Sequence, residues 1–201
     1  MNYELIINST STEVVLALLK NKQLIELHKE KHDNDFSVGD VYVGKVRKVI
    51  PSLNAAFVNV GYEKDAFLHY LDLGPQYRSM NGYIQKTLKG SQPSASLASS
   101  KIETDIDKHG KIKDILSSSQ LIAVQIAKEP ISSKGPRLTA EITLAGRFVV
   151  LVPFSNKISI SQKIKDPEER DRLKRLLSSI RPKNFGVIIR TVAQNKKVAE
   201  L

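Results

Sequence analysis

At 201 residues, with 41% hydrophobic content, the chain can bury one large core or two small ones. It has no cysteine, which excludes disulfides and thiolate metal sites, and no apolar run long enough to cross a bilayer. The formal net charge is +10, and residues 157–201 carry most of it, 12 Lys and Arg against 5 acidic residues, so the natural partner is a polyanion such as nucleic acid. The first ten residues, MNYELIINST, lack a basic lead followed by an apolar core. A soluble, cytoplasmic chain is expected.

Residues 3–8 read as a strand, Val14–Leu19 as a second, and Leu24–His28 as a third after a Lys-Asn-Lys-Gln turn. Lys29–Phe36 reads as a polar linker. A barrel-like β segment opens at Val38-Gly39-Asp40 and runs through VYVGKVRKVIPSLNAAFVNVGYEKDAFL, residues 41–68. Within it, Phe57 and Phe67 flank a turn at Gly61–Lys64, so a hairpin sets their rings opposite each other on one face. Lys45 and Arg47 share a face of the preceding strand at period two. Cations beside paired rings suit single-stranded nucleic acid: charge holds phosphates and rings stack on any base. Two Phe on one hairpin face also fit a core pair. The small Ala55-Ala56 neighbours and the surrounding Lys45, Arg47, Lys48 and Lys64 favour the platform.

From about Gly82 to Ser119 the composition shifts, with five serines within 91–100 and then the charged run KIETDIDKHGKIKD. This predicts a flexible or partly helical insertion. Strands return at Leu121–Lys128 and Arg137–Leu144, joined by the Ser132–Pro136 loop, followed by Phe148–Val152 and Lys157–Ser161. Asp166-Pro167-Glu168-Glu169 is a helix start, with Asp as cap and Pro in the first turn. The helix runs to Ile180 and presents Leu173, Leu176, Leu177 and Ile180 as a core face rather than a membrane-seeking one. Phe185–Thr191 is a further strand, and NKKVAEL begins another helical pattern.

Carboxylate pairs occur at Asp33/Asp35, Asp105/Asp107 and Glu168/Glu169. The first two read as solvated and the third as complementing a helix N-terminus, so none makes a persuasive metal site. His28, His32, His69 and His109 are scattered, and no phosphate-cradling glycine loop or nucleophile elbow is present. Arg190-Thr191, at the end of a hydrophobic strand, could grip a phosphate with a guanidinium fork and a hydroxyl. A strand-end Arg paired with a surface carboxylate is the competing reading.

Read together, IIN near the start, residues 41–68, AVQIAKE with the Lys134-Gly135 loop, ITLAGRFVVLVP, ISQKI and FGVIIRT resemble the N-terminal part of the bacterial ribonuclease E/G endoribonucleases. The resemblance implies a mixed α+β fold: an S1-type oligonucleotide-binding barrel (38–143, with the insertion at about 75–118) set into a ribonuclease-H-like α/β domain. Residues 1–37 would be the first part of that domain and 144–201 its second, truncated part with a 5′-end sensor, while the nuclease domain would be absent from this chain. It further implies magnesium-dependent hydrolysis of single-stranded RNA by the full-length protein, in ribosomal RNA maturation and messenger decay. Zinc at a subunit interface of a homo-oligomer is implied for the missing part. By position, Phe57 and Phe67 match base-stacking aromatics and Lys134 a basic residue beside them. Gly146, Val150, Arg190 and Thr191 match a pocket that senses a 5′-monophosphate. The family has an Arg where Gln162 stands here, so Lys163 would have to supply that contact. The alternatives are a stand-alone RNA-binding protein without catalysis and a structural module docking through its basic C-terminal region.

Overall fold

The computed structural model describes residues 2–31, 36–92, 94 and 96–200. It divides into two compact units, residues 1–37 and residues 38–201. Asp33, Asp35 and His32 lie outside the described residues.

The first unit holds three antiparallel strands, β1 (Tyr3–Ser9), β2 (Glu13–Lys20) and β3 (Gln23–Lys31), in that order. The meander matches the expected three strands, except that β3 continues to Lys31, into the stretch whose polarity suggested a linker. Side-chain charge does not stop a strand whose backbone pairs are available: Lys29 lies opposite Val15 and bonds Glu13 at 2.8 Å.

The second unit is built around a closed barrel. β4 (Val41–Ile50), β5 (Ala55–Asn59), β6 (Ala66–His69), β7 (Leu121–Lys128) and β8 (Arg137–Thr139) close in the order β4-β5-β6-β8-β7. Five closed strands are consistent with an oligonucleotide-binding fold. The barrel is filled by Val46, Ala56, Val58, Ala66, Leu68, Ile122, Val124, Ile126 and Leu138, all essentially inaccessible to water. Gly44 is inward-facing because a Cβ there would lie 2.6 Å from the Val58 Cγ1. The expected strand Arg137–Leu144 is interrupted: β8 ends at Thr139, and β9 is only Leu144–Ala145. The break comes where the Ala140 N–H and Thr139 hydroxyl both turn to the Asp72 carbonyl, at 2.7 and 2.9 Å.

Beyond the barrel, β9, β10 (Val149–Pro153), β11 (Ile158–Ile160) and β12 (Phe185–Ile189) form a sheet in the order β11-β12-β10-β9. A helix, Pro167–Ile180, packs on it, and its cap is the one expected: the Asp166 carboxylate accepts from the Glu168 N–H at 3.0 Å, with Pro167 at the first position. Leu173 and Leu177 join Ile164, Val187, Ile189 and Ala193 in a core, with Leu176 at its margin. Ile180 is 46% exposed, because it falls in the last turn beyond the sheet. Glu169, in the first turn as expected, is also buried. Its carboxylate takes two bonds from Arg172, at 2.6 and 2.7 Å, and one from the Asn195 N–H at 2.8 Å. Within the described part of the NKKVAEL pattern there is a short 3-10 turn, Val198–Glu200.

The described part of the insertion is partly helical, one of its two expected forms, and is tied to the rest of its unit by side-chain bonds. Tyr77–Leu88 forms an α-helix that buries Tyr77 and Ser79. The Gln85 amide donates to the Leu121 carbonyl at 2.8 Å, and Tyr83 meets the Phe154 ring at 6.0 Å. Burial of Tyr77 raises its pKa, with the Gln120 hydrogen bond acting in the opposite sense. Ile106 and Ile112 enter the core. The buried Asn184 amide donates to the carbonyls of Leu97 and Ser100, at 2.7 and 3.0 Å, tying the serine-rich stretch to the second sheet. Low hydrophobicity predicts disorder only if the polar backbone has no partner, and here side-chain amides supply partners across long sequence separations.

Asn54 is the tightest of these ties. It holds the left-handed conformation (φ 47°) just before β5, its amide donates to the Gly110 carbonyl at 3.1 Å, and its Oδ1 accepts from the Ile112 N–H at 2.6 Å. Its carbonyl accepts from the Tyr70 N–H, just after β6, at 2.8 Å, and the Tyr70 hydroxyl donates to the Asp107 carbonyl. The insertion therefore grips the open end of the β5–β6 hairpin. Asn54→Ala leaves two backbone groups without partners and is expected to cost about 1–3 kcal/mol, plus about 1 kcal/mol of left-handed strain. Asn54→Gly should lose only the first part; urea denaturation of both variants measures the split, and equal stabilities would remove the strain component.

Glu169 supplies a second check. The Arg172 hydrogen bonds, more than the opposing desolvation, hold its carboxyl below the usual glutamate range. Its folded pKa lies below its unfolded one, so its stabilisation is complete above the ordinary glutamate pKa and is lost as pH falls through the folded value. Glu169→Gln should flatten that acid limb of a stability–pH curve; an unchanged limb would assign the acid sensitivity to other groups.

Candidate nucleic-acid interface

The period of a strand decides which way the two phenylalanines point. Ala56 and Val58 on β5, and Ala66 and Leu68 on β6, are inside the barrel, so Phe57 and Phe67 between them face outward. They are directly paired in the antiparallel register, with ring centroids 5.9 Å apart and an interplanar angle of 69°. Each is half-buried, largely as expected for two rings that shield one another edge to face.

The cations around them differ in part from expectation. Lys45 is exposed and lies opposite Asn59. A β-bulge between Val46 and Lys48 shifts the register, so Lys48, not Arg47, stands opposite Phe57. Lys45 and Arg47 are both exposed on either side of the buried Val46, and one extra residue in the strand brings Lys48 to the position opposite Phe57. Arg47 is exposed, 3.9 Å from the Asp65 carboxylate. Lys134 is exposed in the loop between β7 and β8, in a bridge with Ile131. That loop is pressed against the hairpin loop: a Cβ on Gly135 would lie 2.4 Å from the Asp65 carbonyl oxygen. Next to it, the Pro136 carbonyl accepts from the Phe67 N–H at 2.9 Å. Lys134 is thus carried to the Phe67 side of the barrel by backbone contacts.

The second constellation gathers at one end of the four-stranded sheet. β11 and β12 run parallel, with Ile160 beside Ile189, so Ser161–Lys163 and Arg190-Thr191 leave the sheet together. β10 runs antiparallel to β12, placing Val149 opposite Ile189 and Val150 opposite Ile188. The Gly146 N–H donates to the Val149 carbonyl at 2.8 Å, and the Arg190 N–H to the Phe148 carbonyl at 2.9 Å. The Arg190 guanidinium donates one Nη1 bond to the Gly146 carbonyl at 2.7 Å. Gly146 and Arg190 are therefore bonded to each other, Val150 pairs with Ala145 and Ile188, and Thr191 follows Arg190 in the chain. Among the described residues no carboxylate is within ion-pair distance of Arg190; a carbonyl orients it instead, leaving most of its donors available. Lys163 is exposed beyond β11, its N–H bonded to the Ser161 hydroxyl at 3.3 Å. Arg147, which sequence reasoning did not single out, stands beside Gly146 over the Phe148 ring at 5.2 Å.

The folded chain also places Arg137 and His69 beside the Phe57–Phe67 face. Arg137 lies opposite Phe67, and its Nε and Nη2 donate to Asp72 Oδ2 at 3.1 and 2.9 Å. His69 lies opposite Ala55, and its Nδ1 accepts from the Leu71 N–H at 3.1 Å. Among the described residues, no group of three or more carboxylates and imidazoles is gathered that could hold a metal ion. Among the described residues, no helix is long and apolar enough to cross a membrane.

A family model described as the ribonuclease E/G family matches residues 143–201. Ribonuclease G of Escherichia coli strain K12 is 33% identical over 201 residues, all of this chain and 37% of that protein. Ribonuclease G of Haemophilus influenzae is 34% identical over 198 residues, 98% of this chain and 36% of the relative. Ribonuclease E of a Nostoc species is 38% identical over 160 residues, 79% of this chain and 19% of the relative. The chain thus spans about a third of the length of the curated ribonuclease G proteins it matches, and less of the ribonuclease E proteins. With similarity running its whole length and a family model matched over its last 59 residues, the chain belongs to the ribonuclease E/G family.

Proposed function

We propose that this chain is the RNA-binding and 5′-end-sensing N-terminal portion of a longer endoribonuclease that cleaves single-stranded RNA in ribosomal RNA maturation and messenger decay. The observation that carries the reading is the outward, directly paired Phe57 and Phe67, with Lys48 across the strand from one ring and Lys45 beside the same face. The barrel takes single-stranded RNA by stacking bases on the two rings, while Lys45, Lys48, Arg47 and Lys134 neutralise phosphates. Residues 1–37 and 144–201 would belong to a ribonuclease-H-like domain interrupted by the barrel. Cleavage, with the magnesium it uses, belongs to segments of the relatives' length that this chain does not span. The fragment on its own therefore binds RNA and leaves it intact.

Phe57→Ala or Phe67→Ala should weaken binding of single-stranded RNA by about 1–3 kcal/mol per base lost from a ring. The dependence of affinity on salt should barely change, because no phosphate contact is removed. Filter binding across a salt series, with folding checked by circular dichroism, measures both. Variants that unfold while affinity per folded molecule is unchanged would make the rings a structural pair.

The pocket at the sheet end is proposed to recognise a 5′-monophosphate. A terminal monophosphate offers three free oxygens and more charge than a phosphodiester, suiting the Arg190 fork and the Thr191 hydroxyl over a Gly146 and Val150 wall, with Lys163 nearby. Short RNAs ending in a hydroxyl, a monophosphate or a triphosphate should be compared in direct titrations. The wild type should prefer the monophosphate, and Arg190→Ala should abolish that preference while leaving hydroxyl-ended RNA almost unaffected. Equal affinity for all three ends in the wild type would rule the sensor out for this chain.

A further inference from the structure

Reading the strand registers across the barrel, rather than along it, gives one continuous row: Lys48 opposite Phe57, Phe57 opposite Phe67, Phe67 opposite Arg137, and Arg137 opposite Lys128. Leu138, next to Arg137, is inside the barrel, so Arg137 faces outward on the same side as the rings. Neighbouring strands are about 4.8 Å apart, which places the guanidinium one strand beyond the Phe67 ring.

Asp72 changes what this arginine offers. Both the Nε and Nη2 of Arg137 donate to Asp72 Oδ2, and the Arg137 side chain remains 46% exposed. Asp72 is itself held, its carbonyl accepting from Ala140 and Thr139. These bonds lie in the guanidinium plane, so they fix its orientation and consume an edge while using neither flat face. They also neutralise its charge. Sheet-borne planar groups on adjacent strands stack successive bases, and an arginine plane serves as well as a ring. Closing the barrel does not require the pair: the Phe67 N–H already bonds the Pro136 carbonyl, and a partly exposed ion pair adds little stability.

We propose that Arg137 is a third stacking surface for RNA, extending the Phe57–Phe67 platform onto β8 so that the barrel face takes three successive bases rather than two. The inference rests on the RNA-binding reading above and specifies the extent of that same site. Asp72 is a positioning residue, and the contribution of Arg137 is planar rather than electrostatic.

The test uses the whole chain, oligoadenylates of two, three and eight nucleotides, and affinities from NMR titration. Arg137→Ala should weaken the three- and eight-nucleotide RNAs about fivefold or more, leave the dinucleotide unchanged, and keep the wild-type salt slope. Arg137→Lys retains a cation for Asp72 but has no plane, so it should bind as poorly as the alanine variant. Arg137→Tyr, which has a plane and no charge, should restore binding. Full binding by Arg137→Lys, a salt slope reduced by about one, or an equal loss for the dinucleotide would overturn the proposal in favour of a phosphate contact or a purely structural pair. A wild type that binds none of the RNAs would instead defeat the underlying reading. RNA binding that depends on Phe57 but ignores every Arg137 variant would defeat the Arg137 proposal alone.

Discussion

The antiparallel pairing of Phe57 with Phe67 is the constraint on which the rest of the barrel face depends. Its origin lies inside the barrel. Val58 and Leu68 are fully buried, and a slip of one residue in either strand would bring a phenylalanine into a space filled by alanine and valine. The burial that stabilises the barrel thus also holds two aromatic rings in partial contact with water. The small Ala56 and Ala66 inside the same strands contribute little core volume, which fits a segment whose larger side chains point the other way.

Local signals made this much readable from the chain alone. Alternation marked the strands, the Asp166-Pro167 pair marked the helix that follows β11, and the spacing about Tyr62 set the two rings opposite one another. What stayed hidden depends on partners far away in sequence. The bulge at Val46–Lys48, which exchanges Arg47 for Lys48 in the row, has no compositional mark. The helix Tyr77–Leu88 has no side-chain cap and buries little more than Tyr77 and Ser79, so its pattern is faint. Arg137 gives no sign of importance until β8 lies beside β6 and Asp72 turns toward it. At the sheet end, the chain alone showed Arg190-Thr191 only as the end of a hydrophobic strand. The bond from Arg190 to Gly146 needs the β9–β10 and β10–β12 registers together.

The insertion shows how polar sequence can still position a site. Asn54 and Asn184 each spend an amide on backbone groups of residues 97–112, more than fifty positions away. Buried polar groups are stable only when partnered, so each such bond fixes the loop to one place. Asn54 stands at the mouth of the hairpin that carries both rings, and Tyr70 closes the same mouth from the other strand. The length of the insertion therefore bears on the platform without contributing to its surface.

The central claim is that RNA lies on the outward rings rather than merely near a basic surface. Proton NMR of the whole chain, titrated with single-stranded RNA, tests it most directly, because stacked bases shift nearby ring protons through their ring currents. The account predicts large shifts at the Phe57 and Phe67 rings, with the buried methyls of Val58 and Leu68 moving little. Saturable RNA binding that leaves both rings unperturbed, with shifts confined to the lysines and arginines of residues 157–201, would contradict it.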